Sequence, residues 1–135
     1  VKMRGSYVIC FDIVGLMPIN EISHEAGDVA IVESLKRIDR VAGDGMITLR
    51  IGGDEFALIT GSTDRAYVDE IVQEVLSHNS EPVSWKNREI PLDLRAAIVQ
   101  VPAENLKYDE FFVGMHEAIR EKREEERAMS PEQKI

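Results

Sequence analysis

The stretch Arg50-Ile51-Gly52-Gly53-Asp54-Glu55-Phe56-Ala57-Leu58-Ile59 decides how the rest of the chain is read. Residues 46–51 and 56–60 are short β-prone runs, and a glycine pair between two such runs is the pattern of a β-hairpin. Two uses are expected of the glycines. They let the backbone take positive φ, and they let a bulky anionic ligand approach a turn that no Cβ blocks. Two carboxylates, Asp54 and Glu55, follow directly, where they can hold a divalent cation against such a ligand. Taken alone, Gly-Gly-Asp is more simply a turn whose acids keep a hairpin tip in water. The surrounding chain has to decide between the two.

Composition narrows the choice. A chain of 135 residues with 44% hydrophobic and 30% charged residues is one domain able to bury a real core. Acids outnumber bases 25 to 16, for a net charge of -9, which argues against non-specific binding to nucleic acid or to an anionic membrane. It leaves room for a phosphate-bearing ligand in a small site that carries its own metal. Cys10 is the only cysteine, so an internal disulfide is excluded, and its apolar neighbours predict a buried reduced thiol. The longest apolar region, residues 7–19, is interrupted by Asp12, Gly15 and Pro18 and is too short to span a bilayer. No signal peptide is visible, so the expected location is cytoplasmic. The chain starts at Val1, directly ahead of a strand, and is expected to be part of a longer protein with room for an upstream sensory domain.

In chain order, residues 6–14 read as a strand buried on both faces. Asp12 is the anomaly within it, because an unpaired carboxylate there costs several kcal/mol, on the order of the buried-charge penalty. Its partner is a cation, an arginine or an N–H cluster, unless the strand end is simply exposed. Residues 15–28 carry the breakers Gly15, Pro18, Asn20, Ser23 and Gly27 and read as a connection. A helix follows, with Asp28 as its N-cap and Ile31, Val32, Leu35 and Ile38 on one face. Its basic residues Lys36, Arg37 and Arg40 sit near the C-terminal end, where the helix dipole favours them. After the hairpin, a second helix runs from about residue 63 or 64 to residue 77, capped by Ser62 or Thr63. Residues 82–85 and 88–101 look like a strand pair around Lys86-Asn87. A last helix starts near Tyr108, burying Phe111 or Phe112, Met115 and Ile119. It runs into the charged stretch 120–127, most simply a solvated helical end. This β-α-β-β-α-β order with an extra hairpin predicts an antiparallel sheet with helices packed on one face.

The string Gly52-Gly53-Asp54-Glu55-Phe56, with Arg50 and Ile51 before it and Ala57-Leu58-Ile59 after it, resembles the signature of the GGDEF (diguanylate cyclase) family. The resemblance extends over nearly the whole chain. It implies an α+β, ferredoxin-like βαββαβ fold of the polymerase-palm type. There Asp12 and the Asp54-Glu55 pair would meet at one end of the sheet and share a divalent cation. It further implies that Asp12, the Ile13 carbonyl and Asp54 bind Mg²⁺ or Mn²⁺. Glu55 would assist as a metal ligand or as base toward a ribose 3′-hydroxyl. Asn20 and Asp28 would read guanine, whose N1–H and N2–H₂ a carboxylate can accept, whereas adenine N1 presents a lone pair. Gly52 and Gly53 would line the nucleotide, and Arg123 and Arg127 would contact its triphosphate.

The implied reaction condenses two GTP into cyclic di-GMP and pyrophosphate between two chains, so a homodimer is required. With no sustained apolar seam and a charge of -9, that dimer is expected to be weak in isolation. Three departures from the family pattern favour an alternative, a degenerate, non-catalytic domain that binds nucleotide or docks a partner. Met17 stands where a phosphate-contacting Lys is usual. The segment from Asn20 to Asp28 is one residue short. The leader that usually enters the first strand is not present.

Overall fold

The structure is a computed structural model that describes residues 4–133. Its elements are β1 (Tyr7–Val14), α1 (Leu16–Ile22), α2 (His24–Val41), β2 (Ile47–Arg50) and β3 (Glu55–Ile59), followed by α3 (Arg65–Leu76), β4 (Pro82–Trp85), β5 (Arg88–Pro91), β6 (Asp93–Gln100) and α4 (Tyr108–Gln133). Four strands form an antiparallel sheet in the order β2-β3-β1-β6, and β4-β5 form a separate hairpin. The α+β class and the central hairpin are as the sequence predicts.

β1 is central because it can bury both faces. Ile9, Phe11 and Ile13 pack on one side with the apolar residues of α1, α2 and α3, while Val8 and Cys10 face the other with Met115 and Ile119 of α4. The helices therefore occupy both faces of the sheet, not one. The even-numbered positions of β1 would otherwise lie bare, and α4 is the element that covers them. No helix among the described residues is long and apolar enough to cross a membrane.

Four local predictions fail. Residues 15–28 are not a loop. Gly15, with φ of 74°, precedes α1, and Pro18 falls in that helix's first turn, where a missing N–H costs nothing. Asp28 is not an N-cap either: α2 starts at His24, and Ser23, extended at φ −172°, accepts from Glu25 N at 3.0 Å. Asp28 thus lies one turn inside the helix. Likewise α3 is capped by Asp64, which accepts from Ala66 N and Tyr67 N at 3.1 and 3.3 Å, rather than by Ser62 or Thr63. The predicted long strand 88–101 is two strands, divided at Leu92. The first closes the small hairpin and the second enters the sheet. Lys86 and Asn87, with φ of 46° and 63°, make the tight turn of that hairpin.

Arg37 is not a surface residue tuned to the helix dipole. It is only 3% exposed, donating to Leu92 O at 2.7 Å and Glu81 O at 2.6 Å with Glu33 alongside. It straps α2 to the two ends of the β4-β5 hairpin.

Candidate functional site

Register assembles the site. Asp12 of β1 stands opposite Glu55 of β3 on one side and Arg95 of β6 on the other. Directly opposed residues in an antiparallel sheet share a face, so all three side chains lie on the α4 side. Ile13 N donates to Asp54 O at 3.1 Å, which fixes the hairpin tip against the end of β1. The predicted meeting of Asp12 with the Asp54-Glu55 pair is therefore observed.

The immediate partner of Asp12 is not a cation shared with those acids. Asp12 is fully buried, and Arg95 Nη1 donates to both its oxygens, at 3.0 and 2.8 Å. Arg123 Nη2 reaches down from α4 to Oδ2 at 2.7 Å. Burial raises the Asp12 carboxyl above its ordinary pKa and the neighbouring Asp54 charge adds to this, while the Arg123 hydrogen bond and the two guanidinium charges pull it back. Arg123 is in turn raised, chiefly by its hydrogen bond to Asp12. Arg95 also donates through Nε to Glu126 Oε1 at 2.9 Å. The charged end of α4 is thus only partly solvated, with Arg123 and Glu126 turned into the site.

Glu55 is held from α4 as well, with Oε1 2.7 Å from His116 Nδ1. Phe112 braces that imidazole edge-on, ring centroids 4.6 Å apart. Arg50 donates to the carbonyls of Gly52 and Gly53 at 3.1 and 2.6 Å, stiffening the turn. Neither glycine lies at positive φ, so conformational freedom is not their reason here. Room is the reason at Gly53, where an added Cβ would meet nothing within 4 Å. Gly52 instead packs back on Glu55.

Two clefts meet over this turn. The first, about 490 Å³, is lined by Ile13, Asp54, Arg95, Arg123 and Arg127 together with residues 14–18. The second, about 390 Å³, holds Asn20, His24, Asp28, Arg50, Gly53 and Asp54. Leu16, Met17 and Asp54 belong to both, so the clefts are two lobes of one site, one rich in arginine and one lined by amide and carboxylate groups. Gly27 makes the second lobe possible, since a Cβ there would fall 1.8 Å from Asn20 Oδ1. Met17 stands at the junction, 76% exposed. A larger cleft, about 630 Å³, runs along β6 between α3 and α4 and shares Val14, Arg95 and Glu126 with the first lobe.

As a donor set, Asp12, Asp54, Glu55 and the Ile13 carbonyl are hard oxygens suited to a hard divalent cation. Among the described residues no three metal-ligating side chains converge as arranged, because Asp12 faces the arginines and Glu55 faces His116. Turning those two carboxylates is what a cation would require of the site, and the chemistry of the donors fits it. Arg95, Arg50 and His116 were the contributors missing from the sequence reading. The alternation of β6, which puts Arg95 among buried positions, was the one available signal.

Comparison with known proteins bears on the family and the fold. The family model described as diguanylate cyclase, GGDEF domain, matches residues 5–129. The bifunctional diguanylate cyclase/cyclic di-GMP phosphodiesterase MucR of Pseudomonas aeruginosa is 22% identical over 117 residues, which is 86% of this chain and 17% of that protein. This chain therefore spans less than a fifth of that relative. A sensory box/GGDEF family protein from Caulobacter crescentus superposes with a TM-score of 0.76 at 23% identity, over 88% of this chain and 78% of that one. Diguanylate cyclase SiaD from Pseudomonas aeruginosa, solved with its activator SiaC, gives 0.78 at 17% identity, over 90% and 47%. The chain belongs to the GGDEF domain family.

Proposed function

We propose that this domain is a diguanylate cyclase, condensing two GTP into cyclic di-GMP and pyrophosphate with Mg²⁺ or Mn²⁺. One observation carries the reading: the arginine-lined lobe and the lobe of Asn20 and Asp28 join at Asp54. A ligand with an anionic end and a hydrogen-bonding planar end fits that shape. The triphosphate lies toward Arg123 and Arg127 and the guanine toward Asn20 and Asp28, with the backbone passing Gly53. Asp12, Asp54 and the Ile13 carbonyl hold the cation. When bound, it supplies charge neutralisation and acidifies the attacking 3′-hydroxyl. Glu55 orients or deprotonates that hydroxyl, and His116 orients Glu55.

A single copy has one such site, so two chains must face each other, and a net charge of -9 works against that encounter. Activity per chain is expected to rise with protein concentration and with fusion to a parallel coiled-coil dimer, through effective concentration. The test is incubation of purified protein with GTP and Mg²⁺, followed by chromatography of the nucleotides. Cyclic di-GMP that disappears in Asp54→Asn supports the reading. GTP binding without product, even in the forced dimer, supports a second reading, a non-catalytic nucleotide-binding or docking domain. The observation favouring that second reading is the engagement of both Asp12 oxygens by arginine.

A further inference from the structure

Arg95 is a strand residue, 8% exposed, whose guanidinium occupies the position at Asp12 that a cation would need. Its place is set by cross-strand register rather than by a mobile loop. One nitrogen, Nη1, covers both Asp12 oxygens, while Nε is held by Glu126. Arg123 differs: it comes from the surface of α4, its side chain is 35% exposed, and it can swing into the cleft toward a ligand. Arg95 cannot leave for the cleft, because β6 and α4 enclose it, and the movement open to it is a turn away from Asp12 onto Glu126, which already holds its Nε. Among the described residues its other acid partner is Glu126.

We propose that Arg95 is a built-in counter-cation of this site. It balances Asp12 while no divalent ion is present, and it must give up both carboxylate oxygens before one can bind there, with Glu126 retaining the displaced guanidinium. The inference rests on the cation site of the proposed function and adds a positioning residue that acts through Asp12. Asp12 already carries two guanidinium charges, from Arg95 and Arg123, and a divalent ion on the same buried carboxylate would add a further large repulsion, so Arg95 and the ion compete. A bare divalent ion then binds weakly. Nucleotide phosphates offer Arg123 another acceptor and bring negative charge, so nucleotide and ion bind together far better than either alone.

The experiment is titration of Mn²⁺, without nucleotide, into the purified chain, followed by electron paramagnetic resonance of the free ion. Arg95→Leu removes the charge, and Arg95→Gln removes it while keeping a donor for Asp12, which guards against a variant that merely misfolds. Both are expected to bind Mn²⁺ about tenfold or more tightly than the parent, equivalent to about 1.4 kcal/mol. Both should also melt lower than the parent in EDTA and regain more on adding Mn²⁺. An arginine that only holds the strands together would lower stability when replaced without tightening Mn²⁺ binding through Asp12. Adding Asp12→Asn to either variant should abolish the gain. Equal affinity in parent and Arg95 variants, lost from all of them with Asp12→Asn, would overturn the role of Arg95 and leave the cation site standing. A gain that survives Asp12→Asn would overturn Asp12 as a ligand, and with it the cation site itself.

Discussion

β1 shows two different faces to its helices. Toward α1, α2 and α3 it presents Ile9, Phe11 and Ile13, apolar from end to end. Toward α4 it presents Val8, Cys10 and then Asp12, so that face starts as core and ends as an ion cluster. The first face has three helices over it and stays buried throughout. The second has one, and where α4 passes the end of the sheet its apolar residues give way to Arg123 and Glu126. The difference teaches where the fold tolerates chemistry. Charge is placed where a single helix can supply counter-charges, at the open end of the thinner layer.

The largest effects separate the faces by stability and activity. Phe11→Ala, on the fully packed face, is expected to cost about 3–5 kcal/mol, a large part of the stability of a domain this size. Chemical denaturation would show it, and a loss under about 1 kcal/mol would mean that face is not the mainstay of the fold. Asp54→Asn, at the ionic end, should leave the denaturation midpoint nearly unchanged yet lower cyclase turnover by about a hundredfold or more. Retained turnover would remove Asp54 from the cation site. Asp28→Ser is expected to have a smaller effect, cutting the preference for GTP over ATP by about tenfold while leaving the helix intact, because Ser23 and not Asp28 caps α2. An unchanged preference, read from competition binding of the two nucleotides, would make the amide-and-carboxylate lobe something other than a guanine pocket.

The same contrast explains what was legible beforehand. The hairpin around Gly52-Gly53 was readable because breakers flanked by β-prone runs are a local signal. The apolar side of β1 was readable because a continuous hydrophobic run needs cover on both faces. The helix α1 was not, since Gly15, Pro18 and Ser23 resemble loop residues. In the structure they are a positive-φ entry, a first-turn proline and a cap between two helices. The acids of the candidate site stood out through their motif, but the residues that contact them in the structure did not. Arg95 meets Asp12 across 83 residues, His116 meets Glu55 across 61, and Arg37 meets Leu92 across 55. Such pairs exist only once register and helix placement are set, and no local periodicity encodes them.

The smallest expected effect tests the point at which the α4 face changes from core to charge, Cys10, one residue pair above Asp12. It is fully buried, and burial, followed by the charge of Glu55, pushes its thiol up from 9.0 to about 12. The folded state therefore keeps its proton where the unfolded chain has released it. Stability from this group is complete below pH 9 and is lost as pH rises toward 12, because above pH 9 the unfolded state binds fewer protons. At pH 8 the parent should exceed Cys10→Ala by about 1 kcal/mol, the value of filling the space under α4. Near pH 10.5 the buried thiol should cost the parent about 2 kcal/mol, so the order of the two proteins should reverse. Urea midpoints of both at the two pH values read this difference directly, with the other alkaline titrations common to each. If the gap between them does not change with pH, Cys10 is not sealed from water. The α4 face would then be wet well above Asp12, and the contrast between the two faces would shift by one residue pair along β1.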